Sequence, residues 1–327
     1  MDIQALIDAD LLRYRIGFVC EKNIIKVFPR GHRDEGPMAT FEGKTAYNEW
    51  LKNNSDCITE EDLEITEVIE PEPVENCLHS VKQRLQSILD EVSAKSFRLF
   101  LTGKDNYRDS LVDYYKANRD RTRRPYHFEN ITNYLVEHWN AEIINGREAD
   151  DACGIAQFED WMDNEMYGDA KHRPEDHGTI ICSIDKDLDM IPGWHYHFVK
   201  QEKYFVTENE ARDWFYCQLL TGDMGSDNIP GLFHITGTKV RDWKPYFYKI
   251  SELSTDREKW DYIVKVYVAA LLLPQEEPMT TAMEDATVAA VQAKLRETGK
   301  LLWIQRDLKD NWEPPCDKKT YNTRAVG

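Results

Sequence analysis

The sequence predicts an α/β protein built on a mostly parallel sheet with helices packed against it. Short runs of β-branched and aliphatic residues alternate with longer segments in which apolar residues recur at helical spacing, which is typical of βαβ units. The predicted strands are residues 5–7, 97–101 and 179–182. Polar or charged residues follow each of them, so the carboxyl ends of these strands also mark a candidate site.

Longer segments between the predicted strands have the periodicity of helices. Residues 76–94, 131–139 and 150–162 are predicted helices, the first of which would cover one face of the sheet. Residues 194–206 alternate like an exposed hairpin. His195 and His197, two apart in that hairpin, are expected to be exposed residues and not metal ligands.

The pattern changes after residue 208, where it becomes helical with Gly and Pro punctuation. Two strongly helical segments, residues 260–273 and 280–298, follow. We therefore expect a core domain over residues 1–207 and a smaller helical subdomain over residues 208–327.

Charge is unevenly distributed along the 327 residues, which carry a formal net charge of −18. Such a charge argues against a nucleic-acid partner unless basic residues cluster somewhere. Residues 60–75 are strongly acidic and are expected to form an exposed loop or linker. Residues 108–124, by contrast, are locally basic, so a polyanionic partner stays compatible with the sequence.

Neither a signal peptide nor a membrane-spanning run is recognisable, which predicts a cytoplasmic protein with no membrane partner. The seven cysteines are odd in number and include no CxxC pair. This pattern favours reduced thiols over a disulfide framework or a zinc site.

Acidic residues lie directly after two predicted strands and at the start of a predicted helix. Taken singly, these acids would be helix-start or turn residues. Together, carboxylates converging from distant segments repel one another unless cations enter, and oxygen ligands suit Mg²⁺ or Mn²⁺. Two such ions at about 3.5 to 4 Å would activate water and clamp a phosphate, which predicts phosphodiester hydrolysis. The candidate ligands are Asp8, Glu148, Asp150, Asp151, Asp185, Asp187, Asp223 and Asp227.

Five segments in order resemble the 5′ nuclease family, which includes flap endonucleases, the 5′ nuclease domain of bacterial DNA polymerase I and phage 5′-3′ exonucleases. The segments are LIDA at 6–9 with YR at 14–15, YRDSL at 107–111 with YKANR at 115–119, GREADD at 146–151, SIDKD at 183–187, and TGDMGSDNIPG at 221–231. The C-terminal pattern looks most like the stand-alone exonucleases of podoviruses, for which the location would be the host cytoplasm.

The resemblance implies a PIN-like core whose central, mostly parallel sheet is flanked by helices. An arch region would occupy about residues 105–130, and a helix-three-turn-helix would lie between residues 222 and 240. In the family pattern Asp8, Glu148, Asp150 and Asp151 correspond to a first metal region, and Asp185, Asp187, Asp223 and Asp227 to a second.

The resemblance also implies which residues contact DNA. Lys116 and Arg119 match the basic pair that meets the scissile phosphate, and Arg108 would be a further phosphate contact. Arg121, Arg123 and Arg124 add positive charge to the arch. In the helix-three-turn-helix, Gly231, Gly237 and Lys239 would hold duplex phosphates together with a potassium ion.

The implied activity is that of a 5′-3′ exonuclease and structure-specific flap endonuclease, with a role in DNA replication. Its expected partner is duplex DNA with free 5′ ends or flaps, and the RNA strand of RNA–DNA hybrids is a further expected substrate. The protein is expected to be a monomer. Two alternatives stay open: a non-catalytic DNA-structure-binding protein, and a phosphomonoesterase that uses Asp8 of the Asp8-Ala9-Asp10 sequence as nucleophile.

The sequence departs from the family pattern at the end of its second strand, where an Asp is usual. Here the chain reads FLTGKD at 100–105, so either Asp105 reaches in from the turn or Thr102 replaces the ligand. Asp223 and Asp227 are four residues apart where three is usual, and one residue also lengthens the turn before Gly237. These changes affect the second metal region and the potassium site, whereas the cluster around Glu148 keeps the family pattern.

Overall fold

The computed structural model describes residues 2–117, 123–165, 173–236, 244–271 and 281–315. Two compact units are present, the first comprising Met1–Asp8, Val92–Asp120 and Glu142–Gly327, and the second comprising Ala9–Glu91 and Arg121–Ala141. In the first unit one hydrophobic core contains residues from the sheet and from the C-terminal helices, Leu6 and Leu295 among them. The expected boundary after residue 207 stays a prediction.

Strands and α-helices of the described residues are numbered in chain order. The strands are β1 (Gln4–Asp8), β2 (Glu21–Pro29), β3 (Ala39–Glu42), β4 (Leu63–Pro71), β5 (Ser96–Thr102), β6 (Glu142–Ile144), β7 (Thr179–Ser183), β8 (Gly193–His197), β9 (Glu202–Val206), β10 (Gly222–Asp223) and β11 (Ile229–Pro230). The helices are α1 (Asp10–Val19), α2 (Gly43–Asn53), α3 (Val74–Val92), α4 (Phe128–Trp139), α5 (Ala149–Glu165), α6 (Glu208–Thr221), α7 (Leu232–Thr236), α8 (Lys244–Glu252), α9 (Asp256–Leu271) and α10 (Thr281–Leu302).

The first unit is built on a six-stranded sheet in the order β6-β5-β1-β7-β8-β9. All neighbouring pairs are parallel except β8 and β9, which form an antiparallel hairpin. All five residues of β7 are buried, as expected for a strand that is covered on both faces. Helix α5 packs against β1, β5, β7 and β8. The predicted α/β class with a mostly parallel sheet is confirmed.

Every strand and helix that local periodicity predicted is present in the structure. The three predicted strands correspond to β1, β5 and β7, and the predicted helices at 76–94, 131–139, 150–162, 260–273 and 280–298 correspond to α3, α4, α5, α9 and α10. The hairpin at 194–206 is present as β8 and β9. Its description as exposed is wrong for His195, which is 3% exposed and whose Nε2–H donates to the carbonyl of Ile191 at 2.8 Å.

The second unit contains a three-stranded antiparallel sheet in the order β3-β2-β4. Its apolar face, which includes Ile25, Val27 and Leu63, packs with Tyr47 and Trp50 of α2. The expectation of a loop over residues 60–75 is wrong, because Leu63–Pro71 pairs with β2 along nine residues. Glutamates occupy positions 64, 67 and 70 of this strand, between apolar residues, so the acidic composition concealed a strand.

Six free cysteines and no disulfide occur within the described part of the chain. No described helix is long and apolar enough to span a bilayer.

Candidate functional site

The carboxyl ends of three neighbouring strands carry the residues expected at the site. β1 ends at Asp8, β5 ends at Thr102, and β7 ends two residues before Asp185. Parallel strands place these ends on the same edge of the sheet. Asp8 is only 6% exposed, so this edge holds a largely buried carboxylate as well as exposed ones.

Glu148, Asp150 and Asp151 lie at the start of α5, where side chains satisfy two backbone N–H groups. The hydroxyl of Thr102 accepts a hydrogen bond from the nitrogen of Ala149 at 2.9 Å, and Asp151 Oδ2 accepts one from the nitrogen of Glu148 at 3.2 Å. Such contacts replace the partners that the first turn of a helix lacks. Thr102 therefore anchors the acidic helix start to the end of β5, a structural role that the sequence did not indicate.

Asp105, the other residue considered for the missing family carboxylate, lies in the turn after β5. It is exposed and its backbone has a φ of 62°.

Arg108 lies in a 3₁₀ turn, Tyr107–Ser110, and is 1% exposed. Its Nη1 and Nη2 atoms donate to the two carboxylate oxygens of Asp151 at 2.6 and 2.8 Å. Its Nε and Nη2 atoms also donate to the carbonyl oxygens of Leu301 and Trp303 at 2.9 and 2.6 Å. The guanidinium thus joins the start of α5 to the end of α10 inside the protein.

Asp151 has no capacity left for a metal ion in this arrangement. Besides Arg108, its Oδ2 accepts from the nitrogen of Glu148 and its Oδ1 accepts from the nitrogen of Gln305 at 3.0 Å. These contacts occupy the four acceptor positions of a carboxylate, and Asp151 is 0% exposed. In this structure Asp151 and Arg108 use their polar atoms on each other and on the backbone, so neither is placed for its expected role, and the assignments of Asp151 to metal and Arg108 to phosphate stay predictions.

Lys116 joins the two predicted metal regions. Its ammonium group contacts Glu148 Oε1 at hydrogen-bonding distance and lies 3.7 Å from Asp227 Oδ1. The hydroxyl of the neighbouring Tyr115 donates to the same two side chains, to Glu148 Oε2 at 2.9 Å and to Asp227 Oδ2 at 3.1 Å. Tyr115 is 1% exposed, so it is a buried link between the two regions that the sequence did not assign to the site.

The ionisation of these acids reflects crowding of negative charge. Burial tends to raise the pKa of Glu148, but the charges of Lys116 and Arg108 outweigh it and bring that pKa to about 2. At Asp150 the same two cations are outweighed, because burial together with the charges of Asp151 and Glu148 holds its pKa well above the usual value. Additional positive charge near Asp150 would therefore be favourable.

The second group of carboxylates lies where β7 and α6 end. Asp185 is exposed and its side chain accepts a hydrogen bond from the nitrogen of Asp187 at 2.9 Å. Burial, and then the charge of Asp185, raises the pKa of Asp187 to about 7, with a further contribution from Asp223. Asp223 is 7% exposed, and its Oδ2 atom is buried with no hydrogen-bond partner among the described residues.

The donor set suits a divalent cation in its chemistry. Hard carboxylate oxygens, a buried unpartnered oxygen on Asp223 and the raised pKa values of Asp150 and Asp187 all fit a site that cations would stabilise. No three His, Cys, Asp or Glu side chains of the described ranges already converge as a metal cage. Lys116 supplies positive charge between Glu148 and Asp227 instead.

The residues expected to contact DNA are only partly described. Arg119 and Arg121, as well as Gly237 and Lys239, lie outside the described residues. In the second unit, Arg123 lies 3.5 Å from Glu21 and Arg124 lies 3.5 Å from Glu129, with about half of each arginine side chain exposed. Their assignment to DNA binding stays a prediction.

Gly231 is buried beside the end of α6, and the structure gives a packing reason for its lack of a side chain. A β-carbon there would overlap the carbonyl group of Thr221 and the nitrogen of Gly222. The predicted close approach of Gly231 to DNA is a separate matter and stays a prediction.

No model of a known protein family matches the sequence, and no curated protein matches it. The solved structures that are similar to the chain include three of bacteriophage T5 proteins. A bacteriophage T5 protein crystallised with metal ions has 18% identity and a TM-score of 0.43 over 69% of this chain and 82% of its own. A variant of the T5 5′-exonuclease has 15% identity and a TM-score of 0.42 over 69% and 80%. A variant of the T5 flap endonuclease, in a complex with DNA and metal ions, has 15% identity and a TM-score of 0.33 over 67% and 90%. Because these identities and TM-scores are low, any function assigned to the chain rests on its own residues.

Proposed function

We propose that the chain is a metal-dependent 5′ nuclease that hydrolyses phosphodiester bonds of duplex DNA near free 5′ ends. Its activity is that of a 5′-3′ exonuclease and flap endonuclease, and Mg²⁺ or Mn²⁺ is the cofactor. The five ordered segments of the sequence support the family, and the carboxylates at one edge of a parallel sheet support the chemistry.

The observation that carries the proposal is the position of Lys116 between acids of both groups. Its ammonium group contacts Glu148 and lies near Asp227, while Asp150 and Asp187 are left with raised pKa values. An enzyme that binds a phosphodiester among carboxylates needs both a cation-binding acidic edge and a positive group facing it.

Seven residues would hold the divalent ions, which when bound activate water and stabilise the charge that develops on the phosphate. Lys116 would meet a phosphate that approaches this edge. Tyr115 holds Glu148 and Asp227 in place through its hydroxyl. Arg108 and Asp151 fix the start of α5, and thereby the orientation of Glu148. The proposed metal-holding residues are Asp8, Glu148, Asp150, Asp185, Asp187, Asp223 and Asp227.

Recognition of the DNA belongs to the same proposal. Arg119, Arg121, Arg123 and Arg124 would contact the strand near its 5′ end. Gly231, Gly237 and Lys239, with a potassium ion, would hold the duplex through its backbone and so without sequence preference. RNA strands of RNA–DNA hybrids are proposed as additional substrates.

Digestion of end-labelled DNA tests the proposal. A 5′-flap duplex and a blunt duplex should both be shortened in Mg²⁺ and stay intact in EDTA. Asp185→Asn should abolish cleavage while DNA binding persists, because Asp185 is an exposed acid whose loss removes charge without disturbing the core. Asp176→Asn, a change of an acid paired with Arg173 outside the acidic edge, is the matched control and should cleave normally. Intact substrate in both saturating Mg²⁺ and saturating Mn²⁺ would sink the enzymatic proposal.

A non-catalytic DNA-structure-binding protein is the second candidate, favoured by the lack of a ready metal cage among the described acids. It would bind the flap duplex and cleave nothing in either metal. The phosphomonoesterase alternative has less support, because the carboxylate of Asp10 is held by Arg13 three residues along α1. Release of phosphate from a phosphomonoester, at a rate that Asp185→Asn leaves unchanged, would favour the phosphomonoesterase.

A further inference from the structure

A buried glutamine belongs to the second group of carboxylates. Gln218 lies in the last turn of α6 and is 3% exposed. Its Nε2 atom donates a hydrogen bond to Asp187 Oδ1. Its Oε1 atom is buried and has no hydrogen-bond partner within the described part of the chain.

The contact has one orientation of the amide. The NH₂ group of Gln218 faces Asp187 Oδ1, which leaves the amide oxygen as the free end. Because oxygen and nitrogen share one carbon, Oε1 lies next to the same carboxylate. An uncompensated oxygen beside a carboxylate is electrostatically unfavourable unless a cation or a water lies nearby.

A second unpartnered oxygen belongs to the same group. Asp223 comes two residues after the end of α6, and its Oδ1 accepts from the nitrogen of Ser226 at 3.1 Å while its Oδ2 has no partner among the described residues. Buried acceptors without a partner are unfavourable, so native proteins retain few of them. Two within one acidic group are better explained by a ligand than by loose packing.

We propose that Gln218 is a positioning residue of the second metal region, whose Nε2 atom orients Asp187 and whose Oε1 atom offers a neutral oxygen to the cation or to a water bound to it. This inference rests on the proposed metal-dependent function. A neutral oxygen is suited to this place because it adds a donor without adding charge to a group in which Asp185, Asp187 and Asp223 already repel one another.

Gln157 provides a matched control within the same unit. It is 1% exposed, its Nε2 atom donates to the carbonyl of Trp194 at 2.9 Å, and its Oε1 atom is also without a partner in the described structure. The two glutamines thus share burial and a free amide oxygen. They differ in the partner of the nitrogen, which is a carboxylate of the acidic edge for Gln218 and a backbone carbonyl for Gln157.

The test measures Mn²⁺ affinity of the full chain directly, from the electron paramagnetic resonance signal of free Mn²⁺. Gln218→Met keeps the length of the side chain and removes both polar atoms, so it should weaken Mn²⁺ binding by about tenfold or more, as loss of outer partners of metal ligands does. Gln157→Met should bind Mn²⁺ as the wild type does. Gln218→Glu keeps an oxygen at the same place but lacks the donor to Asp187 and adds a negative charge, so it should bind Mn²⁺ more weakly than the wild type and more tightly than Gln218→Met.

The outcomes separate the two proposals. If the wild type binds Mn²⁺ and Gln218→Met binds it equally well, the role of Gln218 is overturned and the proposed function stands. An equal loss in Gln218→Glu and Gln218→Met also overturns the role of the oxygen. If the wild type binds no Mn²⁺, both proposals fail. Circular dichroism checks folding, and if Gln218→Met does not fold, the comparison of Gln218→Glu with the wild type decides.

Discussion

Replacing Arg108 by Met should destabilise the protein strongly, because it would leave a buried acid without its counter-charge. Asp151 is 0% exposed and receives two hydrogen bonds from the guanidinium. Met has a similar length and is apolar, so the variant removes the charge and the donors while retaining most of the volume. The perturbation therefore tests the buried ion pair itself.

The magnitude follows from what the guanidinium contacts. Removing one partner of a buried ion pair costs about 3–5 kcal/mol. The carbonyl oxygens of Leu301 and Trp303 lose their donors as well, at about 1–3 kcal/mol for each group left unsatisfied. These contributions are not additive, and we expect a loss of at least about 4 kcal/mol, a large part of a typical stability of about 5–15 kcal/mol.

Arg98 offers a matched control in the same unit. It makes the same two-pronged contact with a carboxylate, Glu142, at 2.8 and 2.9 Å, but the two side chains are 38% and 41% exposed. Exposed pairs contribute only about 0–1 kcal/mol. Arg98→Met should therefore unfold at nearly the wild-type urea concentration, although it breaks an ion pair of the same geometry.

Urea unfolding followed by tryptophan fluorescence measures both variants, and a double variant completes the comparison. Arg108→Met with Asp151→Asn should be more stable than Arg108→Met alone, since the uncompensated charge is gone and an acceptor is kept for Gln305. A loss below about 1 kcal/mol in Arg108→Met, combined with weakened DNA binding, would refute this reasoning and restore Arg108 as a phosphate contact.

Two further predictions concern charge and pH. In EDTA, the free energy of unfolding of Lys116→Met should be about 3 kcal/mol lower than that of the wild type, because the variant lacks the cation between Glu148 and Asp227. Mn²⁺ should restore more stability to the variant than to the wild type. Equal effects of Mn²⁺ on the two proteins in urea unfolding would contradict this. Burial lowers the pKa of His195 from 6.5 to about 4, so between these values the unfolded chain takes up a proton that the folded chain does not. Stability should fall by about 3 kcal/mol as the pH drops through this window, and His195→Gln should reduce that slope in urea unfolding at pH 4 to 7.

The core of the first unit was accessible from the sequence because its signals are local. Residues 179–182 are a continuous apolar run with acids directly after it, and such a run predicts a strand covered on both faces. The rule that parallel strands end at one edge then placed Asp8 and Asp185 together. Neither step requires knowledge of contacts between distant segments.

The antiparallel sheet of the second unit was missed because charged residues are spread through its strands. Leu63 packs on the apolar side with Val27, but Ile65 and Ile69 are exposed and glutamates occupy positions 64, 67 and 70 of β4. The strand therefore lacks the strict alternation of apolar and polar residues that marks a half-buried strand. Pairing with β2 was a further step that composition does not reveal.

The partners of the site residues were the least predictable part. Asp151 is tied to Arg108 and to the nitrogen of Gln305, which is 154 residues away in the chain. No local pattern reports such a contact, so the acid of the GREADD segment was assigned to metal and the arginine of the YRDSL segment to phosphate. Tertiary packing instead pairs these two residues with each other.

The different surroundings of Arg108 and Lys116 suit only Lys116 for the proposed contact with DNA. Arg108 is neutralised within the protein by Asp151, whose remaining acceptor positions are taken by backbone nitrogens. Lys116 is 14% exposed and contacts acids of both groups, while Asp150 and Asp187 have raised pKa values that reflect an excess of negative charge. A DNA phosphate that approaches this edge is repelled by the acids unless divalent cations are present. In the proposed function, the same acids that give the chain its negative charge would make binding of a polyanion conditional on metal, and Lys116 would be the group that exchanges a carboxylate for a phosphate when that condition is met.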